Sequence, residues 1–284
     1  MPDTSVARFY DELTDDYHLV YADWDASVRR QGAALNDLIG EDGATVLDCS
    51  CGIGTQALGL ALRGHRVTAT DLSPRAVARA ADEAARRSVA LRTAAADMRR
   101  LPFSDDRFDA VVCADNSLPH LLTEQDVHAA LTEMHRVLRP AGLLLVSTRP
   151  YDDLLRDRPV STPPQVHAPV DGAERTVTFQ LWHWHDDGQH YDLEHFQLLP
   201  ADDLPAHRPA RGGLSPVAPA PSATRSDGEW RVRVRRTTYW AIGRERLTAL
   251  AADAGFVDAT WRVPEETGFF QPLLIARAGS RPGF

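Results

Sequence analysis

The 284-residue sequence predicts an α/β fold, a mainly parallel sheet with helices on both faces and an inserted β-rich segment in its second half. Three observations predict it. Short apolar runs alternate with helical patterns through the first half of the chain. The first four of these runs each end in acidic or polar residues. The first of them feeds directly into a glycine-rich turn.

Residues 5–40 hold two helical patterns, Val6 to Tyr21 and Asp25 to Ile39, the second closed by Gly40. Tyr10, Tyr17, Tyr21 and Trp24 recur at helical spacings and are expected near one helix face, either as a stripe packed on the sheet or as a lid over a ligand. Thr45-Val46-Leu47-Asp48 then forms a strand that enters the turn Cys49-Ser50-Cys51-Gly52-Ile53-Gly54-Thr55. A second strand closes at Asp71, 19 residues past Gly52. A βαβ unit of this kind sets glycine backbone and a carboxylate at adjacent strand ends, a crevice suited to an adenosine-containing ligand. The glycines allow close approach of the main chain, the following helix offers free N–H groups, and Asp71 can accept from two ribose hydroxyls. A third strand near Leu91–Ala95 leads to Asp97-Met98, where the carboxylate could meet an adenine amino group. A fourth runs from Phe108 to Cys113 and leads to Asp115-Asn116, and a fifth spans Leu143–Ser147.

Gly52-x-Gly54-x-x-Ala57 also fits a permissive dinucleotide fingerprint, which keeps a nicotinamide ligand open. Asp48 speaks against it, because an acid before the glycines repels a pyrophosphate but could hold the ammonium of an amino-acid-like ligand.

Past the fifth strand, Arg175–Leu181 and Tyr191–Leu198 alternate apolar and polar residues around Asp186-Asp187-Gly188 and read as a hairpin. Trp182 and Trp184 share one face, His183 and His185 the other. Two histidines at this spacing could bind a metal, but no matching ligand set stands near them, so a solvated face is expected and no metal is assigned. Residues 201–228, rich in Pro, Ala, Gly and Ser, read as a loop or disordered insertion. Trp230–Trp240 is a strand with arginines on alternate positions, expected to present one basic, solvated face. A helix from Arg244 to Ala254, capped by Gly255, and strands near Asp258–Val263 and Leu273–Arg277 would complete a seven-stranded sheet.

A net charge of −9 argues against a generic polyanion-binding surface, so nucleic acid is not an expected partner. No apolar run approaches the ~20 residues that span a membrane, and Met1-Pro2-Asp3-Thr4-Ser5 lacks the basic and apolar regions of a signal peptide. A cytoplasmic protein without a membrane partner is expected; homo-oligomerisation is left open. The three cysteines, Cys49, Cys51 and Cys113, lie at strand ends and read as small buried side chains.

Taken together, Val46-Leu47-Asp48-x-x-Cys51-Gly52-x-Gly54-Thr55, Asp71, Asp97-Met98, Asn116-Ser117-x-x-His120-Leu121 and Leu138-Arg139-Pro140-x-Gly142-Leu143-Leu144 resemble a class I S-adenosylmethionine-dependent methyltransferase over about Tyr10 to Tyr151. Asn116-Ser117-x-x-His120-Leu121 with Arg149-x-Tyr151-Asp152 is most similar to the glycine and glycine/sarcosine N-methyltransferases. The resemblance implies a Rossmann-like seven-stranded methyltransferase sheet with its last strand antiparallel. It also implies a division into an N-terminal helical lid (1–40), a cofactor-binding core (41–153), an inserted β-rich substrate cap (154–240) and a C-terminal completion of the sheet (241–284). S-adenosylmethionine is the implied cofactor. Asp71 would hold its ribose, Asp97 and Met98 its adenine, Gly52 and Gly54 its methionine portion. Tyr17, Trp24, Asp48, Cys51, Leu72 and Asn116 complete the expected cofactor contacts.

The implied reaction is methyl transfer to a small amine or amino-acid-like acceptor. Asn116, His120, Arg149 and Tyr21 are the expected catalytic group. Asn116 would accept from the acceptor's amine through its side-chain or main-chain carbonyl. His120 is either a titrating base or a capping contact. Arg149 would fork onto a substrate carboxylate, or else pair at the surface with Asp152 or Asp153. An O-methyltransferase of natural-product biosynthesis and a non-catalytic cofactor-binding protein on the same scaffold remain as alternatives.

Overall fold

The computed structural model describes residues 4–167, 175–200 and 230–280. Seven strands, β1 (Thr45–Asp48), β2 (Arg66–Asp71), β3 (Arg92–Ala95), β4 (Phe108–Cys113), β5 (Leu138–Ser147), β10 (Phe256–Arg262) and β11 (Leu273–Ala278), form one sheet. Its order is β10-β11-β5-β4-β1-β2-β3. Strands β1 to β5 pair in parallel, whereas β11 runs antiparallel between β10 and β5. Alternation along the central strands produces the two helical layers. Leu47, Val111, Leu144 and Val146 pack with Leu131 and Met134 on one face. Val46, Ala110, Val112 and Leu145 pack with Leu35 and Leu60 on the other.

The helices are α1 (Thr4–Leu13), α2 (Trp24–Ile39), α3 (Thr55–Ala61), α4 (Pro74–Arg86), α5 (Glu124–Val137), α6 (Tyr151–Asp157), α7 (Arg244–Asp253) and α8 (Pro264–Thr267). Helices α2 and α3 meet backbone to backbone through Gly32 and Gly59. A Cβ on Gly59 would fall 2.5 Å from the Val28 carbonyl oxygen and 2.7 Å from the Gly32 Cα. Because neither obstacle is a flexible side-chain end, Gly59→Ala should destabilise the fold by about 1–3 kcal/mol, read as a lower denaturant midpoint at unchanged slope. An unchanged midpoint would show that the two helices can separate at no cost.

A second, antiparallel sheet comprises β6 (Gln165–His167), β7 (Thr176–Trp184), β8 (His190–Pro200) and β9 (Trp230–Trp240), in that order. The β7–β8 turn has Gly188 at φ +66, and Asp187 Oδ1 accepts from the backbone N–H groups of Gln189 and His190. Trp182, Tyr191, Leu193 and Tyr239 line the inner face and pack with Tyr151. His183 and His185 lie on the exposed face beside Glu194 (3.6 Å) and Asp192 (3.2 Å). The 201–228 segment read as an insertion lies outside the described residues.

Two expectations are corrected here. The helix over Val6–Tyr21 stops at Leu13 and is followed by a separate 3₁₀ turn, Tyr17–Val20, so the four aromatics do not share one helical face. The basic face of β9 is also inverted. Arg235 is buried and Arg233 partly so, while Val232 and Val234 are exposed. One side chain explains both results. Asp16, in the break between the helical pieces, accepts from Arg235 Nη2 at 2.7 Å and pairs with Arg233. Arg235 also donates to the Glu12 carbonyl and to Gln197 Oε1. A buried guanidinium is tolerable when its donors are filled in this way, and the contact fastens the N-terminal segment to the second sheet.

Candidate active site

The strand order reverses between β1 and β4, and there the carboxyl ends of the strands open into a crevice. A cavity of about 240 Å³ lies along it. Gly52, Asp71, Leu72, Asp97, Met98 and Asp115 lie in its wall, with Tyr10, Tyr17 and Tyr21 of the N-terminal segment on the other side. A second cavity of about 130 Å³ lies towards the inner face of the second sheet, where Asn116, Arg149, Gln180, His195 and Tyr239 face it. Three residues border both spaces: Tyr10, Tyr17 and Asp115.

Asp71 organises the first cavity. Its Oδ2 accepts from the Gly52 N–H at 2.9 Å and its Oδ1 from the Ser73 N–H at 2.9 Å. Burial raises its pKa, and those backbone donors oppose the rise. Gly52 sits at φ +51, and a Cβ there would press on the Tyr17 ring at 3.2 Å, so the turn and the aromatic segment fit only with glycine. Gly54, at φ +99, is the N-cap of α3 and does not reach the cavity wall. Cys51 does reach it, as a buried thiol whose pKa burial pushes up. Asp97 lies at the far end, forked by Arg99, which also reaches Asp126 at 2.9 Å. Arg99 and Asp126 were not legible in the sequence, because their relation to Asp97 depends on α5 packing beside the β3 end.

Besides Gly54, three expected cofactor contacts are not brought to the first cavity: Asn116, which borders only the second, and Trp24 and Asp48. Trp24 instead donates from Nε1 to Thr55 Oγ1 at 2.9 Å, with the Arg87 guanidinium 4.9 Å from its ring. Asp48 is fully buried beneath the turn. Its Oδ1 accepts from the Ser50 N–H, its Oδ2 has no partner among the described residues, and burial pushes its pKa up to about 7. Both residues shape the glycine turn from behind.

The expected catalytic group also divides. His120 borders the first cavity, but its Nε2 lies 2.8 Å from the Tyr10 hydroxyl and its Nδ1 3.3 Å from Thr237 Oγ1, while its ring packs on Tyr239. With both nitrogens engaged, His120 ties α1 to β9. Asn116, at φ +63, accepts the Arg149 N–H through Oδ1 at 3.0 Å. It therefore turns its amide Nδ2 outward, a buried donor with no partner among the described residues, and its side-chain carbonyl is not free for an acceptor amine. Tyr21 and Tyr17 stack and both donate to Asp115 Oδ2, at 3.2 and 3.1 Å. Burial raises both phenol pKa values well above the usual range, so both remain donors.

Arg149 follows β5. It donates to the Tyr191 hydroxyl at 2.8 Å and to Gln180 Oε1 at 3.3 Å, with its guanidinium carbon 4.9 Å from the Trp182 ring and 5.1 Å from that of Tyr239. Burial lowers its pKa, but the Tyr191, Tyr239 and Tyr151 hydroxyls outweigh this and hold it firmly protonated. The alternative surface pairing is not formed: Asp152 contacts Arg244 and Asp153 contacts Arg156.

Residues 46–142 match a family model described as a methyltransferase domain. Glycine/sarcosine N-methyltransferase of Parasynechococcus marenigrum (strain WH8102) is 38% identical over 150 residues, which is 52% of this chain and 53% of that protein. The enzyme of the same name from Halorhodospira halochloris is 31% identical over 162 residues, 54% of this chain and 60% of that one. The matched region thus spans little more than half the length of these relatives. Among solved structures, an amino pentose methyltransferase of calicheamicin biosynthesis from Micromonospora echinaspora superposes with a TM-score of 0.64 at 21% identity, covering 89% of this chain and 92% of that one. A sugar N-methyltransferase from Streptoalloteichus sp ATCC 53650 gives 0.61 at 20%, covering 91% and 89%. These neighbours, under 25% identical, show the fold. Residues 46–142 thus match a methyltransferase domain, and the comparisons together support a class I S-adenosylmethionine-dependent methyltransferase.

Proposed function

We propose that the chain transfers a methyl group from S-adenosylmethionine to the amine of a small, carboxylate-bearing metabolite. One observation carries the acceptor class. Arg149 is a partly buried guanidinium beside the smaller cavity, and its hydrogen-bond partners among the described residues, Tyr191 and Gln180, are neutral. A partly buried cation held open in this way is most stable with an anion beside it, and a planar fork suits a carboxylate.

The first cavity fits the cofactor. A buried carboxylate at the β2 end, a glycine turn that forbids a Cβ, and an acid at the β3 end provide acceptors for ribose and adenine and close backbone approach for the methionine portion. Asp71, Gly52, Leu72, Asp97 and Met98 would hold it. When bound, S-adenosylmethionine supplies a methyl group already activated on a sulfonium, so the protein needs no covalent nucleophile. This chain's residues would align and exclude water: Tyr10 and Tyr17 roof the junction of the two cavities, Tyr21 roofs the first, and Arg149 orients the acceptor in the second.

The test is incubation with S-adenosylmethionine and a panel of amino acids, amines, phenols and carboxylic acids, followed by mass spectrometry of the products. The expected product is an amino acid that has gained one methyl on nitrogen. A methyl found on oxygen, or turnover only with acceptors that lack a carboxylate, would overturn the assignment. Tight NAD binding with no response to S-adenosylmethionine would overturn the cofactor.

A further inference from the structure

Asp115 lies immediately before the residues that resemble the family motif, and its surroundings give it a task of its own. Its backbone is at φ +55, a conformation uncommon for a residue with a side chain. Its N–H donates to Ser147 Oγ at 2.8 Å, which holds the strained turn in place. The Tyr17 and Tyr21 hydroxyls converge on Oδ2, whereas Oδ1 takes no hydrogen bond from any described residue. The carboxylate borders both cavities, at the point where a donor in the first would meet an acceptor in the second.

The smaller cavity is otherwise lined with donors and neutral groups. Arg149 offers its guanidinium and Asn116 an unpartnered Nδ2. His195 has an Nε2 with no partner among the described residues and a pKa lowered to about 4 by burial and by Arg235 and Arg149, so it is uncharged near neutrality. Cation and carboxylate thus line one small space, the pairing of charges a zwitterion matches. Resting on the reading of an amino-acid N-methyltransferase, we propose that Asp115 docks the acceptor's ammonium through Oδ1 and selects amino acids over acceptors that carry a carboxylate alone. The same oxygen can take the ammonium proton: an N–H bond breaks, an O–H bond forms, and the lone pair stays on the nitrogen that attacks.

The groups facing Asp115 are the Tyr17 and Tyr21 hydroxyls and, at longer range, Arg149, Tyr10 and Tyr239. Burial raises the Asp115 carboxyl above the usual carboxylate range, and the two phenols and Arg149 oppose the rise. Docking needs the ionised form, so kcat/KM should fall on the acid side as this group protonates.

The experiment uses, as probe, whichever of glycine, sarcosine and the other common α-amino acids the wild-type chain methylates fastest, together with the carboxylic acid of the same skeleton lacking the amine. In Asp115→Asn the KM of the amino acid should rise about tenfold or more, as for loss of one charge-assisted bond. Inhibition by the deaminated acid and calorimetric binding of S-adenosylhomocysteine should stay within about threefold of wild type, and the acid limb of the kcat/KM profile should disappear. Asp115→Gly, which relieves the strained φ, should behave alike and guards against a folding defect. If both variants keep the wild-type KM and acid limb, the proposal is overturned while the N-methyltransferase reading stands. If the wild-type chain methylates no amino acid of the panel on nitrogen, the reading falls and this proposal with it.

Discussion

Asp71→Ala should weaken binding of S-adenosylmethionine and S-adenosylhomocysteine by at least tenfold in calorimetry. Two losses act together. The proposed ribose contacts vanish, each a hydrogen bond to a charged acceptor worth about 1.5–3 kcal/mol. The Gly52 and Ser73 N–H groups also lose the carboxylate that fixes the glycine turn, both now bound at 2.9 Å. Asp71→Asn separates these effects, since its amide oxygen can still accept from one of the two N–H groups. It should fold with a melting temperature nearer wild type yet still bind weakly. Wild-type affinity in Asp71→Ala would mean that the cofactor is held elsewhere.

Arg149→Ala should raise the KM of a carboxylate-bearing acceptor by about tenfold to a hundredfold and leave S-adenosylhomocysteine binding nearly unchanged, because Arg149 borders only the smaller cavity. Arg149→Lys should rescue little, as an ammonium cannot reproduce a planar fork or stack between the Trp182 and Tyr239 rings. The guanidinium also fills space inside the second sheet, so a melting curve is needed beside the kinetics. A lowered melting temperature with an unchanged acceptor KM would assign Arg149 to packing alone.

The strand-to-acid rhythm of the first half was legible because parallel strands buried on both faces read as short apolar runs, and because ligands bind at their carboxyl ends. Gly52, Asp71 and Asp97 follow from that rhythm, Leu72 and Met98 from the resemblance, and all five reach one cavity. Asp48 shares the same local pattern yet stops one layer behind the cavity, and Trp24, expected from the aromatic spacing, stops at Thr55. A pattern of spacing tells which strand end a residue occupies, not whether its side chain points into the crevice or under the turn. The N-terminal aromatics were misread for a related reason: helical periodicity ran on through Thr14-Asp15-Asp16, where the chain breaks because Asp16 has buried partners more than two hundred residues away in sequence.

By itself, then, the sequence determined the parallel core, the glycine turn with its ribose acid, and the hairpin of the second sheet, since each rests on contacts within a few tens of residues. Only the tertiary structure decided which way β9 faces, that the Asn116 amide presents a donor, that Arg149 lies among aromatic rings with neutral hydrogen-bond partners among the described residues, and that Asp115 stands where the two cavities meet. These depend on side chains from α1, β5, β7 and β9 meeting in space. A buried charge takes its meaning from the partners that reach it, and those are chosen by the fold rather than by the neighbouring residues in the chain.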